Sequence, residues 1–247
     1  MRRDEGDARV PPVAALLGFD MGGTSTDAIR VTDHLPRRDQ TPIAGRTMAL
    51  PSLVIESVAA GGGSRCRLDH GVWRVGPESA GSVPGPACYG RGGPLTVTDI
   101  DLLLGRCDPR HFAVPLDPRA AERALRSEVL SDAVSGAVSN DDLTEHLARF
   151  NAITDDAMAS ALRLISVREG FEPSTHALIA YGGAGGQHAC TVAELLGIRR
   201  VIHPAAAGLL SATGMFSLRR DRLTSESIKS ALSIESLSGA GARARAA

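Results

Sequence analysis

Residues that could bind a phosphorylated ligand lie together in one short stretch near the N-terminus. The stretch contains, in order, Asp20, Gly22, Gly23, Thr24, Ser25, Thr26 and Asp27. Glycine lets backbone N–H groups crowd against a bound anion, because no Cβ stands in the way. Hydroxyl side chains can donate to phosphate oxygens, and a carboxylate such as Asp20 can hold a hydrated Mg²⁺ or orient water. The spacing therefore predicts a phosphate-binding loop. An ordinary glycine turn without a ligand is the alternative.

The runs on either side of this stretch predict a β-hairpin with the glycines at its tip. Residues 13–17 are apolar and indicate a buried strand, and residues 27–31 alternate as a second strand would. A strand, a glycine turn and a second strand make a hairpin. We therefore expect Asp20 at the end of the first strand, beside the turn.

A second candidate site is the glycine-rich turn at 182–186, between a predicted strand and a predicted helix. The start of a helix offers free N–H groups and the positive end of its dipole. The dinucleotide fingerprint G-x-G-x-x-G fails, because from Gly183 its third glycine would fall at His188. We expect this turn to hold the adenosine end of a nucleotide, with Gln187 and His188 as candidate contacts. A turn of small residues needed only for packing is the alternative.

A long segment rich in glycine and proline, residues 75–94, lies between the two turns. This composition excludes a helix or a central strand. Glu78, Cys88 and Tyr89 are poor choices for a flexible linker. We therefore expect an ordered loop that lies close to the Asp20 turn.

Two helices are predicted in the second half of the chain. Asp117 and Pro118 provide an N-cap and a first-turn proline for a helix that runs to about residue 130. From residue 141, apolar residues recur every three to four positions until Gly170, which ends the pattern. We interpret that apolar stripe as core packing.

Composition excludes several classes of function. Hydrophobic residues are 43% and charged residues 22% of the chain, as in a globular protein. The formal net charge of −1 argues against nucleic acid as the main partner. Lys229 is the only lysine, which excludes a Walker-A lysine, a kinase-type strand lysine and a Schiff-base lysine in the folded part.

The cysteines and the N-terminus indicate a cytoplasmic protein. Cys66, Cys88, Cys107 and Cys190 are scattered without CxxC spacing, which is typical of reduced thiols rather than of a zinc ribbon or a disulfide framework. The charged N-terminus has no apolar signal-peptide core, and no apolar run reaches the length that spans a membrane. We therefore expect no membrane contact.

With both glycine turns placed, the sequence resembles the hydantoinase A/5-oxoprolinase family, which includes the corresponding acetone carboxylase subunits. The matching stretches, in the family's order, are FDMGGTSTD at 19–27, VAAGGGS at 58–64, VGPESAGSVPGPACYGRGGPLTVTD at 75–99, AYGGAGGQHA at 180–189 and the AELLGI to GLLSATGM pattern that ends at 215. The glycine- and proline-rich stretch is the most specific of these. Together they cover most of the chain.

This resemblance implies an α/β fold of the actin/sugar-kinase-like (ribonuclease H-like) ATPase type, with a helical segment and a long Gly/Pro-rich loop. It assigns the ATPase lobe to residues 13–222. We expect a disordered lead-in at 1–12 and a polar, disordered tail at 223–247, because the composition there turns to charged, Ser, Ala and Gly residues.

The same resemblance implies ATP-dependent opening of a cyclic amide ring of the hydantoin or 5-oxoproline type, with Mg²⁺ accompanying ATP. On this basis we predict Asp20, Asp99 and His188 as catalytic residues and Asp20 as the metal ligand. The predicted ATP-binding residues are those of the two turns: Gly22, Gly23, Thr24, Ser25, Thr26, Gly182, Gly183, Ala184, Gly185 and Gly186.

One departure from the family pattern concerns the partners. Family members carry a similar glycine-rich motif in a preceding lobe, whereas only twelve residues precede the predicted first strand here. The chain therefore resembles the second lobe alone, and we expect it to need the first lobe and a second hydrolase component. Two alternatives remain: a non-catalytic nucleotide-binding or interaction fragment, and a kinase-like phosphotransferase.

Overall fold

The computed structural model describes the following residues: 13, 15–132, 140–216 and 233–234. The chain divides into two compact units, Met1–Ser211 and Ala212–Ala247. In the second unit the described residues are 212–216 and 233–234. The predicted lead-in at 1–12 lies outside the described residues, as does the predicted tail at 223–247 apart from that last pair.

The secondary structure is mixed α/β. The strands are β1 (Leu16–Met21), β2 (Thr26–Val31), β3 (Arg37–Arg38), β4 (Thr41–Ile43), β5 (Arg46–Met48), β6 (Ser52–Leu53), β7 (Glu56–Val58), β8 (Ser64–Asp69), β9 (Val72–Ser79), β10 (Ala177–Tyr181) and β11 (Val201–Ile202). The helices are α1 (Val97–Leu103), α2 (Pro118–Asp132), α3 (Asn140–Arg168), α4 (Gly185–Leu195) and α5 (Leu210–Met215). Short 3₁₀ turns occur at Ala87–Tyr89, Pro109–His111, Pro173–Thr175 and Ala207–Leu209.

A five-stranded mixed sheet in the order β11-β10-β1-β2-β7 forms the centre of the first unit. Strand β1 lies in the middle, parallel to β10 and antiparallel to β2. Strands β3 and β6, and β4 and β5, pair with each other in the segment between β2 and β7, and β8 pairs with β9 as a separate hairpin. The end of β1 that carries Asp20 is therefore flanked by backbone on both sides.

The predicted hairpin is present, although its first strand begins later than predicted. Pairing of β1 with β10 starts at Leu16 rather than at residue 13 and continues to Asp20, so backbone partners and not apolar composition set the boundary. The second strand agrees with the prediction within one residue. The turn between them closes with a 3.1 Å hydrogen bond from the Gly22 N–H to the Ser25 carbonyl.

The two faces of this sheet have different environments. Leu17 and Phe19 are fully buried on the face that α3 and α4 cover. Alternate residues of a strand point to opposite faces. Asp20 therefore points away from that core, and its register partners Asp27 and Tyr181 lie on the same side as Asp20.

The helix predictions are confirmed. Helices α2 and α3 lie within two residues of the predicted bounds, and the apolar stripe of α3 buries Phe150, Met158 and Leu162 in the core. Strand β11 is short, because only Val201 and Ile202 pair with β10. No helix in the described part of the chain is both long and apolar enough to cross a bilayer.

Candidate functional site

A third glycine run packs directly on the tip of the first hairpin. The N–H groups of Gly62 and Gly63 donate to the carbonyls of Gly22 and Gly23 at 3.0 and 2.6 Å. A Cβ on Gly61 would lie 2.6 Å from the Thr24 carbonyl carbon, so a larger residue would force the backbones apart. In the sequence this run stands out only as part of the family pattern, although three consecutive glycines are a signal for close backbone approach.

A cavity of about 420 Å³ opens where the hairpin tip meets the glycine- and proline-rich loop. Its lining residues are Gly23, Thr24, Gly63, Gly81, Ser82, Pro86, Tyr89 and Thr98. Thr24 is exposed, and its hydroxyl has no hydrogen-bond partner within the described ranges. The structure therefore places the loop beside the first turn and leaves a hydroxyl donor available to a ligand.

A second cavity of about 180 Å³ brings the two predicted glycine turns together. It is lined by Gly22, Gly23, Gly62, Tyr89, Thr98, Phe112, Gly183, Ala184 and Gln187. The Ala184 N–H donates to the Met21 carbonyl at 3.1 Å, which joins the second turn to the end of β1. Gly182 has φ of +83°, and a Cβ there would lie 2.4 Å from both Asp20 Oδ1 and the Met21 oxygen.

Two carboxylates lie opposite each other beside the turns. Asp20 and Asp27 are direct cross-strand partners. Asp20 Oδ2 accepts a 2.6 Å hydrogen bond from Ser211 Oγ, and Asp27 Oδ1 accepts a 2.5 Å hydrogen bond from Ser57 Oγ. Burial, together with these two carboxylates, raises the pKa of the Tyr181 phenol. Negative charge is therefore concentrated on this side of the sheet.

This carboxylate pair fits the way in which proteins usually hold Mg²⁺. Magnesium is commonly bound through one or two carboxylates, with water and phosphate oxygens completing an octahedron. Among the described residues there is no group of three or more His, Cys, Asp or Glu side chains that could hold a metal ion. Asp20, with Asp27 opposite, would therefore be a partial ligand set that needs oxygens from the nucleotide and water.

The three hydroxyl residues of the first turn have different environments. Thr24 lines the larger cavity, whereas Thr26 is 1% exposed and donates to the Ala60 carbonyl at 2.5 Å. Ser25 is half-buried, and its carbonyl accepts the hydrogen bond that closes the turn. The Thr26 hydroxyl is thus used to hold the turn on the third glycine run.

Asp99 organises the glycine- and proline-rich loop from inside. Its carboxylate is fully buried and accepts hydrogen bonds from the N–H groups of Ala87 (3.1 Å), Cys88 (2.7 Å) and Thr96 (2.8 Å). It also accepts a 2.9 Å bond from the Thr96 hydroxyl, which completes a capping box at the start of α1. Because both oxygens are occupied, this carboxylate positions the loop rather than facing either cavity.

His188 also lies in the core and lines neither of these two cavities. It is 1% exposed, with Nδ1 2.6 Å from Asp155 Oδ1 and Nε2 3.1 Å from Asp101 Oδ2. Burial opposes its charge, but the hydrogen bonds to Asp101 and Asp155 outweigh burial and raise the pKa of His188 to about 9. Neither Asp99 nor His188 lines either of these cavities, and their catalytic roles stay predictions.

The carboxylate partners of His188 were missed by sequence reasoning. Asp155 lies on the long helix that was interpreted as core packing alone, and Asp101 lies on α1. Asn151 Nδ2 donates to Asp155 Oδ2 at 2.7 Å, and Arg106 Nη1 donates to Asn151 Oδ1 at 2.7 Å. Asn151 and Asp155 are four residues apart on one helix face, which was the only local sign of this network.

The fold and the site define a class of α/β protein in which two glycine turns meet beside a carboxylate pair. The chain belongs to the hydantoinase/oxoprolinase family, whose model matches residues 8–218. This finding confirms the resemblance on which the sequence predictions of activity rest.

Several relatives show the extent of the similarity. The chain is 42% identical over 213 residues to the 5-oxoprolinase of Dictyostelium discoideum, which is 81% of this chain and 17% of that protein. It is 34% identical over 219 residues to caprolactamase subunit alpha of Pseudomonas jessenii, covering 85% of this chain and 30% of the relative. The chain therefore spans less than a third of the length of these relatives.

Two solved structures have a similar fold. Nucleotide-free acetone carboxylase, from a study of ATP-dependent acetone carboxylation, matches with a TM-score of 0.72 and 28% identity. The ATP-dependent caprolactamase from Pseudomonas jessenii matches with a TM-score of 0.70 and 32% identity. Each match covers 82% of this chain and 29% of the solved chain.

Proposed function

We propose that this chain supplies the nucleotide-binding part of an ATP-dependent hydrolase that opens a cyclic amide ring of the hydantoin or 5-oxoproline type. One observation carries the proposal: the two predicted glycine turns, 160 residues apart in sequence, line a common cavity, and Asp20 lies just before the first turn and against Gly182 of the second. The relatives support the reaction class, because their names include 5-oxoprolinase and ATP-dependent caprolactamase.

In this proposal, the hairpin turn holds the phosphates. Its Gly23 and Thr24 N–H groups have no hydrogen-bond partner within the described part of the chain, and Thr24 lines the larger cavity. Backbone N–H groups grouped in this way favour an anion. Gly183 and the N-cap residue Ala184, directly before α4, line the smaller cavity and bring the positive end of the helix dipole to it.

The carboxylates receive the cation in this proposal. Asp20 is the residue proposed to act at the reacting phosphate, and Asp27 balances the cation from the opposite strand. Mg²⁺ bound here would neutralise charge on the transferring phosphoryl group. Ser211 holds Asp20 in place through its 2.6 Å hydrogen bond. Transfer of the γ-phosphoryl group from ATP to the ring amide oxygen would release ADP. One water would then add to the activated carbon and expel the ring nitrogen as an amine, which breaks the C–N bond and leaves an acyl phosphate. A second water would hydrolyse that acyl phosphate to a carboxylate and free phosphate.

We also propose that the chain has the actin/sugar-kinase-like ATPase fold and works with a further lobe and a second hydrolase component. The central strand β1 leads into the phosphate turn, and the parallel strand β10 leads into the second turn. The partner proposal is supported by the greater length of the relatives and by the name caprolactamase subunit alpha.

The test of the proposed function is an ATP hydrolysis assay with hydantoin and with 5-oxoproline, first with the chain alone and then with a family-type first lobe added. We expect little turnover by the chain alone, because phosphoryl transfer depends on positioning and on charge stabilisation from all walls of the site. Addition of the lobe should give hydrolysis that depends on the ring amide. Hydrolysis that is indifferent to the ring but depends on a hydroxyl or carboxylate acceptor would favour a kinase-like phosphotransferase instead.

A second candidate is a nucleotide-binding component without turnover of its own. The observation that favours it is the small share of each relative, 17% and 30%, that the chain spans. Nucleotide binding with no hydrolysis after the lobe is added would support this candidate.

A further inference from the structure

A buried charged network lies one helical turn behind the smaller cavity. His188, Asp101 and Asp155 are each 1% exposed, and each ring nitrogen of His188 faces a carboxylate oxygen. A neutral imidazole donates through one nitrogen and presents a lone pair at the other. Because both nitrogens here meet carboxylate oxygens, the geometry favours the doubly protonated imidazolium.

The charges around this imidazolium balance. Asp101 comes from α1, Asp155 from α3, and the Arg106 guanidinium lies 3.8 Å from Asp155. Two carboxylates are thus matched by one imidazolium and one guanidinium. Burial and then the charge of Asp101 raise the pKa of Cys107 to about 11, and the pKa of the Cys66 thiol is also raised, so these neighbouring thiols stay neutral.

The network joins the two helices whose first turns form walls of the smaller cavity. Helix α1 contributes Thr98 to that wall, three residues before Asp101. Helix α4 contributes Gln187, the residue before His188. Arg106, which also lies beside Asp155, completes the network by donating to the Gln187 carbonyl at 3.4 Å. His188, Asp101 and Asp155 therefore join the two helices without lining the cavity themselves.

We propose that His188 is a positioning residue that holds the first turns of α1 and α4 at the spacing that binds nucleotide. That the ligand is a nucleotide rests on the proposed function, whereas the role of His188 in holding the two helices together does not. A role in stability alone would not link His188 to the cavity. A positioning role predicts that removal of the imidazolium loosens Thr98 and Gln187 and weakens binding even in protein that remains folded.

The test compares His188→Gln with His176→Gln in the intact chain. His176 is a suitable control because it is 2% exposed, accepts a 2.9 Å hydrogen bond from Arg30 and does not line either cavity. We expect His188→Gln to weaken Mg-ATP binding by ~10-fold, the scale of losses when outer-shell partners are removed. His176→Gln should leave the affinity within about twofold.

A ligand-independent measurement separates this inference from the proposed function. Amide hydrogen exchange should be faster at Thr98 and at residues 185–187 in His188→Gln than in His176→Gln, whether or not ATP binds. If the parent chain binds no ATP, the proposed function fails and the exchange result alone decides the inference. Unchanged exchange at these amides in His188→Gln, or equal effects of the two variants, would overturn it.

A milder variant covers the case in which His188→Gln does not fold. Asp155→Asn keeps the shape of the partner but removes its charge, so the pKa of His188 should fall. Protection from exchange at Thr98 and at residues 185–187, corrected for the base catalysis of exchange itself, should fall in the parent as the pH rises from 6.5 to about 9. In the variant this fall should end at a lower pH. Identical pH profiles in parent and variant would contradict a role for the imidazolium.

Discussion

The two glycine turns have similar composition, but their glycines serve different purposes. In the hairpin turn, a Cβ on Gly23 would meet nothing within 4 Å, and the close contact comes from outside, where Gly61 packs on Thr24. In the second turn the contact is internal, because Gly182 itself lies against Asp20 and Met21. The comparison teaches that glycine-rich motifs mix positions needed for packing with positions left open for a ligand.

The largest effect should come from the packing glycine of the second turn. Gly182→Ala combines a left-handed backbone, φ of +83°, with a Cβ only 2.4 Å from backbone and carboxylate oxygens. We expect a loss of ~3 kcal/mol or more in the free energy of unfolding, since backbone strain and overpacking each cost about 1–3 kcal/mol. Urea denaturation measures this loss. Gly183→Ala, whose Cβ would be free of contacts, is the control, and equal stability of the two variants would break the comparison.

The stability contributed by the region of the second turn should also depend on pH, because His188 lies at the start of the helix that follows the turn. Its pKa in the folded protein is about 9, above the ordinary value of 6.5. The stabilisation by protonated His188 is thus complete below pH 6.5 and is lost as the pH rises from 6.5 to 9. We expect the free energy of unfolding to fall by roughly 1–3 kcal/mol over this range. His188→Gln should flatten this alkaline slope in urea denaturation at several pH values.

His176 gives the opposite sign and serves as an internal control for that experiment. Burial and then the charge of Arg30 lower the pKa of His176 below 6.5. Its contribution is therefore complete above pH 6.5 and is lost as the pH falls towards the lowered value. His176→Gln should change the acidic slope and leave the alkaline slope as in the parent. A loss of the alkaline slope in His176→Gln would show that His188 is not its source.

The open position of the hairpin turn should affect binding rather than folding. Gly23→Ala adds a methyl group that meets no protein atom within 4 Å but faces both cavities. We expect a change in unfolding free energy within about 0.5–1 kcal/mol and a loss of ~10-fold in Mg-ATP affinity. Gly61→Ala should behave in the reverse way, with a large loss of stability. Calorimetry measures the Mg-ATP affinity of both variants, and urea denaturation measures their stability. A loss of stability in Gly23→Ala would contradict the prediction.

Much of the fold could be predicted from patterns within single segments of the sequence. Alternation located β2, and three-to-four spacing with a proline N-terminus located α2 and α3, because those signals are contained in the segment itself. The start of β1 was predicted too early because its boundary depends on pairing with β10, more than 150 residues away. Periodicity within a segment contains no information about such partners.

The candidate site was predictable in its turns but not in their surroundings. Glycine and hydroxyl patterns identified both turns, and the structure brings them to one cavity. The burial of His188 could not be read from its neighbours in sequence, since Asp101 and Asp155 come from other helices. The spacing of Thr96 and Asp99, by contrast, is that of a capping box and was a local sign of the role that Asp99 has. A polar residue at a helix start is equally compatible with a ligand contact and with a buried ion pair until tertiary structure is known.

The most direct test of the account is Mg²⁺-dependent ATP binding, measured by calorimetry, to the parent chain and to Asp20→Asn. The account predicts that the parent binds ATP more tightly with Mg²⁺ than without it, and that Asp20→Asn loses most of this Mg²⁺ effect, roughly 10-fold or more in affinity. Its melting temperature should stay close to that of the parent, because the amide can still accept the hydrogen bond from Ser211. Equal Mg²⁺-dependent binding by parent and variant would contradict the central claim that the carboxylate beside the two turns receives the metal–nucleotide complex.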